Sequence, residues 1–214
     1  METVKTVLVG ESGVGKTSII SRFITDSFDP EVLSSSSAQF ISKTIKITDE
    51  KSIKFDIWDT AGQEKFRSLA KIFYKDARII IYVYDITDKK SFEEIKKYWY
   101  KETTENMTSD VVLALVGNKI DLYENEQVTD EEGQKFAKEI NAIFKTTSAL
   151  SNIGVNWIFE NLGKKILNPN YNTTVDNNNK EMINNNTNVS NKNSGNIKLN
   201  NDKNAKDNNN KGCC

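Results

Sequence analysis

The sequence predicts an α/β protein: a doubly wound, mostly parallel six-stranded sheet with helices on both faces. Three observations carry this expectation. From residue 1 to 167, short apolar β-branched runs alternate with longer amphipathic stretches, the rhythm of a sheet wound by helices. Two of the runs, RIIIYVYDI and VVLALVG, are apolar throughout, as strands covered on both faces must be. A glycine-rich stretch, GESGVGKT, separates the first strand from the first helical pattern.

The elements follow in order. VKTVLV (4–9) reads as a buried strand, and the segment after the glycines opens a helix. ISKTIKI (41–47) and IKFDIW (53–58) alternate apolar and polar residues, as a strand pair with one wetter face does. The two apolar runs (78–86 and 111–117) supply further strands, and AIFKTTS (142–148) a weaker sixth. Between them, SFEEIKKYWYKETTENM (91–107) and TDEEGQKFAKEI (129–140) have helical spacing, and Thr129 followed by Glu132 is a capping box. The charge-rich EEIKK (93–97) reads as a solvated helix face. GVNWIFENLGKKIL (154–167) places Val155, Ile158, Phe159, Leu162 and Ile166 on one face and closes the domain.

Composition changes after Leu167. Residues 168–214 are dominated by Asn with scattered Lys, Asp and Ser, without apolar periodicity, and end in Cys213 and Cys214. Such a segment buries too little surface to offset its ordering entropy, so two regions are expected: a domain over 1–167 and a disordered tail over 168–214. The absence of histidine removes Ser-His-Asp and Cys-His chemistry and histidine-held metals. A net charge of −1 and a pI near 5.7 give no footprint for nucleic acid. Adjacent cysteines rarely close a disulfide with good geometry, and neither a secretory signal nor a spanning run is visible, so the reading is cytosolic.

Three motifs carry chemistry. Gly10–Thr17 fits G-x-x-x-x-G-K-[ST] between a strand and a helix, the context of a phosphate-binding loop. Glycines let N–H groups converge on phosphate oxygens, and the helix turns its positive end toward them. Gly10, Ser12, Gly13, Val14, Gly15, Lys16, Thr17 and Ser18 are the expected nucleotide contacts, with Lys16 at the β/γ-phosphates and the Thr17 hydroxyl on Mg²⁺. DTAGQE (59–64) starts where a strand ends. Asp59 is suited to the Mg²⁺ water shell, the Gly62 N–H to the γ-phosphate, and Gln63 to orienting an attacking water. NKID (118–121) ends another strand. Asp121 suits guanine's N1–H and exocyclic amine, Asn118 the other edge of the base, and the Lys119 stem its ring. Adenine would leave that carboxylate unpaired at a cost of about 1–3 kcal/mol, so GTP is selected over ATP.

These elements, in this order, resemble the Ras-superfamily small GTPases over residues 4–167, with the P-loop GTPase fold that this implies. The resemblance adds TSAL (147–150), in which the Ser148 and Ala149 backbone meets the base and Leu150 stands where the family usually has Lys. It also assigns Phe28 an edge contact with guanine. IWDTAGQEKFRSLAKIFYKDA, YVYDIT and the terminal Cys-Cys resemble the Rab branch, which implies geranylgeranyl groups on Cys213 and Cys214. Trp58, Phe66 and Tyr74 resemble the aromatic surface that Rab effectors read, although Trp58 and Tyr74 fit packing roles equally well. Ser12 is ordinary for Rab proteins, and Arg67 is a surface or switch residue.

The serine run Ser34–Ser37 falls where small GTPases place a switch threonine. Counting back from Phe40 and forward from Phe28 both give Ser35. Serine keeps the hydroxyl that binds Mg²⁺ and loses one methyl, worth at most about 0.8 kcal/mol of burial. Ser35 is therefore the expected third metal ligand with Thr17 and Asp59, in a looser switch; a linker whose serines bond only water is the alternative. The function expected is a GTP-hydrolysing switch in membrane traffic, slow by itself and accelerated by an activating protein. The implied partners are GTP/GDP, an exchange factor, the activating protein, escort or dissociation-inhibitor chaperones, effectors and a membrane. The chain is expected to be a monomer on the cytoplasmic face of an intracellular membrane, with AQF having an endocytic flavour. Two alternatives are a GTP-bound binding module with little hydrolysis and an ATP-using P-loop kinase.

Overall fold

A computed structural model describes residues 1–28, 39–59, 73–107 and 110–172. Ser34–Ser37, Gly62, Gln63, Phe66, Arg67, Cys213 and Cys214 lie outside these residues. The compact unit runs from Met1 to Thr173. Its elements are β1 (Glu2–Val9), α1 (Lys16–Thr25), β2 (Gln39–Lys46), β3 (Ser52–Asp59), β4 (Ile79–Asp85), α2, β5 (Val112–Asn118), α3 (Asp130–Glu139), β6 (Ile143–Thr147) and α4 (Val155–Leu167). Helix α2 consists of α-helical segments Lys89–Glu94 and Tyr100–Asn106 separated by a π-helical turn, Ile95–Trp99.

The strands form one six-stranded sheet in the order β2-β3-β1-β4-β5-β6. β2 pairs antiparallel with β3, and the remaining pairings are parallel. The doubly wound α/β sheet is therefore as the sequence predicts, with the alternating pair forming its one antiparallel edge. β1 lies between β3 and β4, with the strands that follow it first on one side and the later ones on the other, which makes the carboxyl end of β1 the topological switch point where ligands bind in such sheets.

Each face has its own core. On one, Phe23 of α1 stacks on Phe159 of α4 with centroids 3.7 Å apart, over Phe55, Ile57, Leu8 and Ile81. On the other, Phe92 of α2 meets Phe136 of α3 edge-on at 5.8 Å, above Val7, Ile80, Tyr82 and Leu115. β4 is buried along its whole length, the physical meaning of its unbroken apolar run. In β3 alternate residues are buried, so the register that buries Ile53, Phe55 and Ile57 also turns Asp59 inward.

The capping box at α3 is present: the Thr129 hydroxyl accepts from Glu132 N and the Glu132 carboxylate from Thr129 N. The EEIKK segment is wet only in part. Ile95 is fully buried, and the Lys96 ammonium lies 5.1 Å from the Phe92 ring centre. Beyond α4 the Tyr171 hydroxyl donates to Asn161 Oδ1 at 2.6 Å, and Lys165 Nζ donates to the Tyr171 carbonyl at 2.9 Å. No helix among the described residues is long and apolar enough to cross a membrane.

Candidate nucleotide site

Parallel pairing brings the carboxyl ends of the strands to one edge, and with them almost every described residue singled out in the sequence. Leu8 is in register with Asp59, Asp85 with Asn118, and Asn118 with Thr147. Gly10–Gly15 follows β1 there, and Lys16 begins α1.

The glycines of the loop are required by its geometry. Gly10 has φ +147°, and a Cβ on it would lie 2.2 Å from the Val83 carbonyl of β4. Gly15 has φ +96°, and its Cβ would lie 2.3 Å from Asn118 Nδ2. Side chains are excluded at both positions because the Val83 backbone of β4 and the Asn118 side chain of β5 close around the loop. Val14 is buried beneath it, whereas Ser12 and Gly13 are exposed at its rim. Ser18 is half-buried in the first turn of α1.

Lys16 is buried, and its Nζ donates to the carbonyls of Gly10 at 2.8 Å and Glu11 at 2.7 Å. Burial pulls its ammonium down to about 8, against the pull of Asp59 and Glu11, which favour the charge. The cation is thus held in a dry site with only carbonyl dipoles and two carboxylates to offset the lost water, a site suited to an anion of high charge.

Thr17 Oγ1 donates to Asp59 Oδ2 at 2.6 Å. Asp59 is 2 % exposed, and its other oxygen, Oδ1, is buried without a hydrogen-bond partner. Burial raises its carboxyl above the usual range, opposed by the Thr17 hydroxyl and Lys16. A half-satisfied buried carboxylate beside a threonine hydroxyl fits Mg²⁺, which takes one or two protein oxygens and fills its remaining positions with water and phosphate. Among the described residues no larger group of His, Cys, Asp or Glu could hold a metal ion.

The loops after β5 and β6 are tied to the glycine-rich loop by Asn118. Its Nδ2 donates to the Val14 carbonyl at 2.9 Å and its Oδ1 accepts from Thr147 Oγ1 at 3.0 Å. One amide hydrogen remains, so this residue is a strut between the two loops with one donor to spare. Lys119 stands at φ +70°, with its ammonium 2.6 Å from Asp85 Oδ2. Asp85 is itself fixed, accepting from Thr87 N at 2.8 Å and Thr87 Oγ1 at 2.7 Å. Asp121 Oδ1 accepts from the Ser148 hydroxyl, which also accepts from Ser151 N at 2.9 Å. Ala149 is buried and Leu150 exposed.

Sequence reasoning missed two features. Arg22, on the outer face of α1, donates through Nε to the Ala149 carbonyl at 2.8 Å and through its terminal nitrogen to the Leu150 carbonyl at 2.9 Å. Its guanidinium lies 6.0 Å from the ring centre of Phe28, so one residue staples the Ala149 and Leu150 backbone beside Phe28. Nothing in the spacing of SIISRFIT marks it. The second is the aromatic patch. Tyr74 is fully buried and belongs to the core, the packing role that the sequence left open beside a surface one. The exposed ring is Phe40, 5.1 Å from Trp58, which in turn lies 5.8 Å from Phe73.

A phosphate-loop lysine, a threonine–aspartate pair suited to Mg²⁺ and an Asn-Lys-x-Asp loop on one sheet edge define a nucleotide-binding switch fold. The chain matches the Ras family over residues 5–168. It is 44% identical over 163 residues to Ras-related protein RabJ of Dictyostelium discoideum, an overlap of 76% of this chain and 63% of that one. It is 40% identical over 166 residues to Ras-related protein Rab-22A of Homo sapiens, an overlap of 78% of this chain and 84% of that one. The match thus spans less than two thirds of RabJ. The chain belongs to the Ras family and is a Rab-type small GTPase.

Proposed function

We propose that this protein is a GTP-hydrolysing switch acting in membrane traffic on the cytoplasmic face of an intracellular membrane. The observation that supports it most is the Thr17–Asp59 pair with its orphaned Oδ1, set beside buried Lys16 and coupled through Asn118 to the guanine-selecting loop. Lys16 neutralises the β/γ-phosphates. Thr17, Asp59 and Ser35 would hold Mg²⁺, which would supply charge neutralisation to the phosphates. Gln63 orients the attacking water, and the Gly62 N–H meets the γ-phosphate. Asp121 reads the base, while Ser148, Ala149, Leu150 and Phe28 enclose it and Lys119 lies along its ring.

The reading assigns residues 1–167 to the switch domain and 168–214 to a tether. Two lipid chains on Cys213 and Cys214 attach it to the bilayer, since one chain holds only marginally. Phe40, Trp58 and Phe73 form the face an effector would cover. An exchange factor, an activating protein and a lipid-binding chaperone complete the cycle. Single-turnover hydrolysis of Mg²⁺–GTP by the full chain, alongside Gln63→Leu and Ser35→Ala, tests the core of it. The expected result is slow turnover, on the order of 10⁻⁴ to 10⁻³ s⁻¹, reduced in both variants. Tight GTP binding without turnover in the parent would instead indicate a binding module, the reading the Ser34–Ser37 run motivates.

A further inference from the structure

The end of β4 holds a carboxylate that divides its two oxygens between two neighbours. Asp85 Oδ1 accepts from Thr87 N at 2.8 Å and from Thr87 Oγ1 at 2.7 Å, which fixes the carboxylate to its own turn. Its Oδ2 faces the ammonium of Lys119, 2.6 Å away. The Asp85 side chain is 10 % exposed and that of Lys119 32 %. This is therefore not the fully wet kind of ion pair that contributes almost nothing.

Register explains the meeting. Asp85 lies opposite Asn118 at the end of the β4–β5 pair, and the Ile86 N–H donates to the Asn118 carbonyl at 3.0 Å. One residue on, Lys119 turns into the left-handed region, with φ +70° and ψ +37°, as the N-cap of the helical turn Ile120–Asn125. A lysine keeps that backbone only where its surroundings impose it. The Leu122 N–H on the Lys119 carbonyl, at 2.9 Å, fixes the peptide, and the ion pair with Asp85 fixes the far end of the side chain. Between two fixed ends the four-carbon stem has little freedom left.

We propose that Asp85 is a positioning residue for the nucleotide: it anchors the Lys119 ammonium so that the stem stands as a fixed apolar ledge along the guanine ring. The proposal rests on the reading of NKID as the guanine loop. A loose lysine must give up rotamer freedom when the base arrives, whereas an anchored one has already lost it. The anchor therefore shows in how long the nucleotide stays. Asparagine at position 85 is the informative change. With its amide oxygen on Thr87 it turns an NH₂ donor toward the ammonium; flipped, it gives up both Thr87 bonds. Either way the charge pair is gone. An Asp85 that served only its own turn would act without Lys119, and its effect would persist once the ammonium is removed.

The experiment loads the full chain with radiolabelled GDP and follows its release into excess unlabelled GDP. Asp85→Asn should release about tenfold faster, the scale of one hydrogen bond between charged groups. Lys119→Met, which keeps an apolar stem and loses the ammonium, should also release faster than the parent. Asp85→Asn/Lys119→Met should then stay within about threefold of Lys119→Met, because the anchor has nothing left to hold. Asp85→Asn less than about threefold faster than the parent overturns the proposal, and so does a double variant more than about threefold faster than Lys119→Met. Lys119→Met no faster than the parent overturns it as well. Thermal unfolding of the loaded variants checks that each is folded. Should Asp85→Asn fail to fold, Asp85→Ser takes its place with the same expected outcomes, since a serine hydroxyl still accepts from an N–H two residues on. A parent that retains no GDP refutes the nucleotide reading itself, and this is seen before any variant is compared.

Discussion

The buried ammonium of Lys16 makes GDP affinity depend on pH in a defined direction. In the empty site its proton is lost at about pH 8, because burial outweighs the pull of Asp59 and Glu11. Bound phosphates favour the charged form, so the loaded site keeps the proton to higher pH. Binding then takes up a proton above about pH 8, and affinity falls as pH rises. Below that value Lys16 is charged in both states and the profile is flat. From about pH 6.5 to 8.5 the ratio of protonated fractions predicts a roughly fourfold rise in the dissociation constant. Titration calorimetry with GDP at fixed Mg²⁺ measures it, over a window that ends before guanine's own N1–H ionises. Asp59 also faces Lys16, and its carboxyl is raised by burial. Asp59→Asn distinguishes the two groups: it should move the fall to lower pH, since it removes a charge that holds the Lys16 proton. A profile flat to pH 8.5 in the parent, or one that disappears in Asp59→Asn, would refute the reasoning. The same group makes a statement about folding. Its folded value lies below the ordinary 10.5, so the nucleotide-free protein should gain stability as pH rises from about 8 towards 10.5.

Further outcomes follow from single contacts. Tyr84 has a fully buried hydroxyl without a hydrogen-bond partner, so Tyr84→Phe should stabilise the protein by about 1 kcal/mol in urea unfolding; a loss of similar size would mean the hydroxyl has a partner. Arg22→Ala removes both bonds to the Ala149 and Leu150 carbonyls and should speed GDP release about tenfold, with Arg22→Lys restoring little because the two-pronged geometry is lost. Gly10→Ala meets the Val83 carbonyl and should cost more than about 2 kcal/mol of stability, read as a lowered unfolding midpoint.

What the sequence made legible was whatever has a fixed local spelling. The strands were visible because burial on both faces demands unbroken apolar runs, and the β2–β3 pair because one wetter face demands alternation. The loop, Asp59 and NKID could be placed together because each follows a strand, and parallel strands in one sheet end on one edge. Contacts that depend on the third dimension had no such spelling. Arg22 looks like any arginine on an amphipathic helix until α4's preceding loop is laid beside it. The π turn in α2 cannot be told from an α-helix by apolar spacing, since Phe92, Ile95, Trp99 and Thr103 recur at intervals that suit either. Tyr74 was ambiguous because an aromatic residue serves a core or a surface equally well, and its fully buried ring puts it in the core. Its neighbour Phe73 lies against Trp58.

The central claim is that the Thr17–Asp59 pair, Lys16 and Gln63 form a site that turns over GTP. It is tested most directly by single-turnover cleavage of Mg²⁺–GTP by the full chain, with Gln63→Leu beside it and binding of GTP measured in both. The account predicts tight binding in both proteins and slow release of phosphate only from the parent. Equal rates in the two proteins, or no cleavage by a parent that binds GTP tightly, would contradict it.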